Sequence, residues 1–394
     1  MTSKIIRPSR RQFVGGALGA AALSTVPAFA RRAAAADDFK IGLFIALSGP
    51  ASLFGPTQKA CAELAADEVN KAGGIMGRKV TLIPTDAGVP PAEAAKSAVR
   101  LMLNDKVDAF IGSHDSAVRE ALVATIKAKT PYVYTPVYEG TECARNTYVL
   151  ADTPEQQVRP AITYLTKAQK LKKFYLIGDD YVWPQKLNLA VKKYVNQLGG
   201  EVMAEEYVPF GPGNKFEDAV TRIKAAAPDM VVITLVGGDN VNFNRTFAGF
   251  GLAKSIKRLS FLLEENTLAG IGAESSANLY SSMSYFANLP TAENKAFITA
   301  YKAKFGDKAP PMSLIGQDCY VGVKFVKAMF EKAKSSNAAK LTAAAEGLTF
   351  DTPGGPAVMH HRHLDKNEYL AECKGASFDI IQTFKSIKSG EACA

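Results

Sequence analysis

The chain has 394 residues, enough for two full cores, with 47% hydrophobic and 22% charged residues, the proportions of a soluble globular protein. The formal net charge of +9 is unevenly placed, because Lys4, Arg7, Arg10, Arg11, Arg31 and Arg32 all precede residue 37. No Lys/Arg run interleaved with aromatics follows, so the charge does not argue for a nucleic-acid partner.

The first stretch reads as an address. Ser9-Arg10-Arg11-Gln12-Phe13-Val14 resembles the twin-arginine export motif, and an apolar run over 14–26 leads to Ala28-Phe29-Ala30, an A-x-A cleavage pattern. At about thirteen residues the run is short of the roughly twenty that span a bilayer. Residues 1–36 are therefore expected to be a removable signal, which implies a periplasmic protein without membrane insertion after cleavage.

Residues 40–47 form a nearly continuous apolar run, the pattern of a strand buried on both faces. Ser48-Gly49-Pro50 breaks it, and a helix opens at Pro56 and stops at Gly73-Gly74. Strand 80–84, helix 91–103, strand 107–111, helix 118–127 and strand 132–134 follow. Such alternation with short connections predicts a doubly wound parallel sheet. Ala151-Asp152-Thr153-Pro154 interrupts the pattern, which then restarts with helix 156–168, strand 174–177, helix 185–198 and strand 201–207. Helix 216–226, strand 230–235, helix 240–250 and strand 260–263 continue it. The tail is predicted as helices 292–305, 318–334 and 341–348, then a Gly/Pro-rich segment, and such a tail can cross back and complete both lobes. Two α/β lobes facing a cleft are expected.

The five cysteines are Cys61, Cys143, Cys319, Cys373 and Cys393. In an oxidising compartment an odd number leaves at least one free. Cys373 with Cys393 is the expected pair, because it would staple the C-terminus, with buried thiols at the other three positions.

Asp67-Glu68-Val69-Asn70-Lys71-Ala72-Gly73-Gly74-Ile75-Met76-Gly77-Arg78-Lys79-Val80, followed by Asp86, resembles the signature of solute-binding proteins of the branched-chain amino acid transport family. With Leu47-Ser48-Gly49-Pro50 and the restart at Pro154, the resemblance covers nearly the whole chain after the signal. It implies a type I periplasmic binding protein: α/β, with two doubly wound parallel-sheet lobes joined by a three-crossover hinge. The expected division is 37–154 with 287–345 in lobe 1, and 155–286 with 346–394 in lobe 2. Pro136-Val137-Tyr138-Glu139-Gly140, Gly178-Asp179-Asp180-Tyr181-Val182-Trp183-Pro184 and Gly270-Ile271-Gly272-Ala273-Glu274 are similar to the urea and short-chain amide binders.

The resemblance also implies a site. Ser116 falls where the family holds the ligand's polar head, Tyr134 and Pro136 on a second wall, and Tyr181 and Trp183 on aromatic positions. Trp183 is larger than the pattern expects, and His114 replaces an aromatic. In the second lobe Asp239, Glu264 and Glu265 follow strands at the presumed cleft, where a carboxylate could accept ligand N–H groups. Each has a plainer role: Ser116 and Asp239 as helix caps, Glu264 and Glu265 in a solvated loop.

No Walker A, H-E-x-x-H, G-x-S-x-G or Cys/His metal spacing appears, so neither an enzyme nor a cofactor is expected. His360-His361-Arg362-His363 reads as a solvated loop. The expected function is that of the binding subunit of an ABC importer. It would take a urea- or amide-like solute and deliver it to an inner-membrane permease with its ATPase subunits. Alternatives are an aromatic or aliphatic carboxylate or an amino acid as ligand, or a periplasmic sensor feeding a receptor.

Overall fold

The computed structural model describes residues 37–211, 213–391 and 393; the export-like segment 1–36 lies outside them. In the first lobe β1 (Phe39–Ile45), α1 (Gly55–Lys71), β2 (Val80–Asp86), α2 (Pro91–Arg100), β3 (Ala109–Ser113), α3 (Ser116–Ile126), β4 (Tyr132–Tyr134) and β5 (Thr147–Val149) alternate along the chain. Their strands lie in the order β2-β1-β3-β4-β5, all parallel. Period-two alternation along β1 sends Ile41, Leu43 and Ile45 to one face and Phe44 to the other. Both faces are covered by helices, which is why the strand reads as apolar throughout.

The chain crosses at Thr153, whose side chain and that of Gln156 form a reciprocal capping box with Pro154 in the first turn. The second lobe then contains α4 (Pro154–Gln169), β6 (Lys173–Asp179), α5 (Val182–Gln197), β7 (Glu201–Val208), α6 (Glu217–Ala226) and β8 (Met230–Thr234). It continues with α7 (Gly238–Gly249), β9 (Lys257–Ser260), α8 (Glu265–Ile271) and β10 (Leu279–Met283). Its strands run β10-β9-β8-β6-β7, again parallel. The tail supplies α9 (Ala292–Phe305), α10 (Leu314–Ala333), α11 (Ala338–Ala345), β11 (Thr349–Thr352), β12 (Gly355–His360), β13 (His363–Lys374) and β14 (Ser377–Ile387). This is the expected type I periplasmic binding fold.

Three features differ from the sequence reading. The Gly/Pro-rich tail folds into four strands that no local pattern announced, with Gly354 and Gly375 in two of its hairpin turns. β11 and β12 join β13 on the first lobe's side, so 349–360 completes that sheet, whereas the expected division placed it with the second lobe. β13 itself is the seam: His363 pairs with Val149 of β5, and Tyr369 to Glu372 run antiparallel to β10. At this hinge Lys366 Nζ lies 2.5 Å from Asp152 Oδ1 and donates to Leu150 O at 2.6 Å, a buried ion pair between two crossovers.

The disulfide is a correction. Cys393 is bonded to Cys143, its partner 250 residues away, and not to Cys373. β13 turns back into β14 just after Cys373, which faces the second lobe's core and stays a buried thiol. The tail beyond β14 instead returns to the first lobe. Among the described residues no helix is long and apolar enough to cross a membrane.

Candidate functional site

The carboxyl ends of β1, β3 and β4 from one lobe face those of β6, β8 and β9 from the other, the place where open α/β sheets present helix N-termini and loops to ligands. Between them lies a narrow cavity with about 430 Å³ of atom-free space, part of it open to solvent. The lobes touch around it. Pro50 O lies so close to Gly237 that a Cβ there would sit 2.7 Å away, and φ at Gly237 is +53°. Glycine is the residue this approach permits. Asn266 Nδ2 reaches Thr57 Oγ1 at 3.5 Å, and Lys186 lies 3.8 Å from Glu120.

The first lobe's wall is a hydrogen-bonded lattice. Asp115 caps α3, accepting from Val118 N at 2.9 Å, and burial pushes its carboxyl up. Ser116 is the first residue of α3, so its own N–H has no intrahelical acceptor. Its Oγ donates to Glu139 Oε2 at 2.7 Å, and Glu139 Oε1 accepts from Arg119 at 2.7 Å. His114 lies 3.0 Å from Asp115 O through Nδ1 and 3.0 Å from the Tyr132 hydroxyl through Nε2. Tyr134 donates its hydroxyl to His114 O at 2.8 Å. Burial holds the His114 pKa down at about 4, so the ring is neutral at pH 7. His114 and Tyr134 therefore offer ring surface to the cavity rather than free donors.

The second lobe's wall is apolar. Tyr181 stacks on Phe210 with centroids 4.6 Å apart, and Trp183 packs beside it at 6.4 Å. The helix α5 begins at Val182, earlier than its sequence suggests, so Trp183 stands in its first turn. Trp183 is 1% exposed, and its indole Nε1–H meets no acceptor among the described residues. A buried donor without a partner is costly. Val236 and Leu262 close this side.

Ser116, His114, Tyr134, Pro136, Tyr181 and Trp183 thus line one cavity, while Asp239, Glu264 and Glu265 do not. Asp239 Oδ2 accepts from Asn214, and the carboxyl lies beside Asp179, which is pushed well up by burial and by Asp239. Glu264 is the N-cap of α8 and accepts from Asn266 N, Thr267 N, Asn266 Nδ2 and Thr267 Oγ1 at 2.7–2.8 Å. It does not line the cavity, and it is buried rather than part of a solvated loop. Glu265 accepts from Ala287 N at 2.6 Å and is pushed up to about 8 by burial. Among the described residues no lysine or arginine lines the cavity, and the one carboxyl group there is that of Asp115.

Sequence reasoning missed Gln58, Phe54, Phe210, Val236, Leu262 and Ile315. Gln58 accepts from Ala46 N and donates to Ser113 O and Oγ, tying α1 to the ends of β1 and β3. The alternation of polar Gln58 with buried alanines on α1 was the only signal for it. Ile315 arrives from α10, and nothing local marks it.

Two α/β lobes closing on a small cavity define a solute-binding protein, which holds its ligand without chemistry and is not an enzyme. The chain belongs to the periplasmic binding protein family, whose model matches residues 38–377. It is 27% identical to the Leu/Ile/Val-binding protein homolog 3 of Brucella melitensis, over 89% of this chain and 92% of that one. It is 25% identical to the leucine-, isoleucine-, valine-, threonine- and alanine-binding protein of Pseudomonas aeruginosa, over 85% and 89%. A solute-binding protein of an ABC transporter from Rhodopseudomonas palustris HaA2, solved with p-hydroxybenzoic acid, superposes with a TM-score of 0.80 at 24% identity, covering 90% and 98%. A branched-chain amino acid transporter substrate-binding protein from Streptococcus pneumoniae, solved with isoleucine, gives 0.76 at 23% identity, covering 88% and 99%. These structural likenesses show the fold. Membership makes the chain a periplasmic binding protein for a small-molecule ligand.

Proposed function

We propose that the ligand is a small planar acid, an aromatic carboxylate of about the size of benzoate, bound between the lobes and delivered to the permease. The observation that carries this reading is the second lobe's wall. Tyr181, Trp183, Phe210, Val236 and Leu262 bring aromatic and aliphatic surface and no carboxylate to the cavity, so an α-ammonium group would find no counter-charge on that wall. A ring stacks on such a wall. The carboxylate fits against the N-terminus of α3, where the Ser116 N–H is free, with the Trp183 indole N–H as a further donor. The relatives solved with p-hydroxybenzoic acid and other benzoates support the same class.

A urea- or amide-like ligand, the first expectation, stands second. One observation favours it: the Ser116 hydroxyl proton is committed to Glu139, so its oxygen can only accept, which suits a ligand N–H. Closure follows from differential affinity, since a ligand touching both walls binds the closed form better than the open one. Export by the twin-arginine route belongs to the same reading, and secretion lost on replacing Arg10 and Arg11 by lysine tests it.

The deciding experiment is a thermal-shift and calorimetry panel of benzoate, 4-hydroxybenzoate, isoleucine, acetamide and urea. A ligand at a hundred times its Kd adds about 2.7 kcal/mol of stability. A response to the benzoates alone supports the proposal. A response to isoleucine or to acetamide alone overturns it in favour of that ligand. Stimulation of the reconstituted permease's ATPase by the liganded protein separates transport from sensing.

A further inference from the structure

The tail beyond β14 belongs to neither lobe. After Ile387 it leaves the second lobe's sheet and runs back to the first, where Cys393 bonds Cys143. It therefore crosses the hinge a fourth time. Along the way Ser389 O accepts from Thr153 Oγ1 at 2.6 Å, and Ser389 N donates to Asp365 Oδ1 at 2.8 Å. Gln156 donates to Ile387 O at 3.1 Å, and Glu391 Oε2 accepts from Thr141 N at 3.0 Å. The strap is thus laid across the first crossover and pinned to the loop 139–146 at two adjacent points, Thr141 and Cys143.

That loop carries Glu139, a fully enclosed carboxylate with two partners. One oxygen accepts from the Ser116 hydroxyl and the other from Arg119, whose second terminal nitrogen donates to Glu142 at 3.1 Å. Arg362 donates to Cys143 O at 2.8 Å and ties the same loop to the turn between β12 and β13. The chain of contacts is short: strap, loop, Glu139, Ser116, cavity.

We infer that Glu139 is a positioning residue of the ligand cavity, and that the strap closed by Cys143–Cys393 holds it in place. Ser116 brings a hydroxyl to the cavity at the first residue of α3, and the direction of its proton decides whether it donates or accepts. Glu139 fixes that direction. A loop of eight residues with several glycine-like turns would otherwise sample many backbone states, as the positive φ at Thr141, Gly140 and Asn146 indicates. The strap removes that freedom at the loop's centre. It also limits the hinge, because the lobes cannot separate further than the six residues from Lys388 to Cys393 extend. The inference rests on the reading that Ser116 contacts the ligand, and not on which ligand it is.

Two measurements test it. Trp183 is the chain's single tryptophan and lies in the cavity wall, so acrylamide quenching of the ligand-free protein reports the cavity's opening directly. Opening the strap with Cys393→Ser or Cys143→Ser should raise the quenching constant at least twofold. Affinity is then read for wild type, Ser116→Ala, Glu139→Ala, Glu139→Gln and the Ser116→Ala/Glu139→Ala double variant, well below their melting temperatures. The probe is benzoate, or whichever of isoleucine and acetamide binds the wild type. Glu139→Ala should weaken binding about tenfold, Glu139→Gln should recover most of that because it keeps an acceptor, and the double variant should be no worse than its poorer parent. If benzoate fails but another probe shows this pattern, the ligand proposal falls and the positioning role stands. Additive losses, an unchanged affinity in Glu139→Ala, or an unchanged quenching constant in both cysteine variants overturn the inference. Failure of every probe to bind the wild type overturns it together with the site. Should either cysteine variant not fold, the other opens the same strap.

Discussion

Tyr132 donates its hydroxyl proton to His114 Nε2 across 3.0 Å. The direction follows from the other side of the ring, where Nδ1 lies 3.0 Å from the Asp115 carbonyl, a group that can only accept. Nδ1 must carry the hydrogen, and Nε2 must receive one. His114 is thereby fixed as a neutral tautomer with both nitrogens used.

This fixes the sign of a pH effect. In the unfolded chain a histidine takes its proton near pH 6.5, whereas folded His114 resists until about pH 4, and His363, held by Tyr138 at 2.5 Å, behaves alike. Between those values the unfolded chain binds more protons, so stability falls on acidification, by up to ~3 kcal/mol for each group. Urea midpoints from pH 7 to 4.5 should fall, and His114→Gln should flatten part of that slope.

Glu265 acts in the opposite sense. Unfolded, it loses its proton near pH 4.5; folded, it keeps it to about 8. Unfolding therefore releases a proton between those values, and stability falls as pH rises, with a slope of at most ~1.4 kcal/mol per pH unit. Glu265→Gln should remove this slope and raise the urea midpoint at pH 8 relative to wild type.

Trp183→Phe separates binding from stability. It deletes the indole N–H that meets no acceptor, so the ligand-free protein should lose little of its urea midpoint beyond the smaller ring's packing. A carboxylate ligand loses a charge-assisted hydrogen bond worth roughly 1.5–3 kcal/mol, about a tenfold to hundredfold rise in Kd by calorimetry. An equal loss for a neutral amide probe would count against the N–H as the cause.

Glu264→Ala should behave in reverse. It strips four donors of their acceptor at the start of α8 and should cost about 1–3 kcal/mol in denaturant. Binding of the ligand at 15 °C should be unaffected.

Lys366→Met leaves Asp152 buried without its cation, and breaking such a pair typically costs about 3–5 kcal/mol. The double change Lys366→Met/Asp152→Leu should be closer to wild type in urea midpoint than the single one.

Much of the fold was legible because parallel strands covered on both faces are apolar throughout, as in β1 and β8. What stayed hidden were strands lacking that signature. β10 carries Ser281 and Ser282, whose hydroxyls donate to Leu263 O and Gln157 O, and β9, expected over 260–263, starts at Lys257 because it takes in a buried Arg258 bonded to Asn244 and two carbonyls. Their polar groups are satisfied by distant backbone that no local pattern reveals. The aromatic positions Tyr181 and Trp183 were recognisable because they follow a strand end directly. The second-lobe acids have local partners that the chain order does not show: Glu264 caps α8, Asp239 accepts from Asn214, and Glu265 accepts from Ala287 N. The disulfide escaped because proximity along the chain favours Cys373, while pairing depends on where the tail goes after β14.

The seam strand has a consequence for synthesis. The first lobe's sheet begins at Phe39, yet the strands that pair beyond β5 emerge only after the whole second lobe. A nascent chain must therefore keep an open, apolar sheet edge at β5 while the intervening lobe is translated, and such edges recruit wrong partners. The pairings among β1 to β5 need only residues 39–149, but the closure of the β5 edge by β13, β12 and β11 waits for the end of the chain, which makes that last step slow by topology rather than by weak local preference. Ribosome-release timing, more than the strength of either core, should govern how much of the protein reaches its native form.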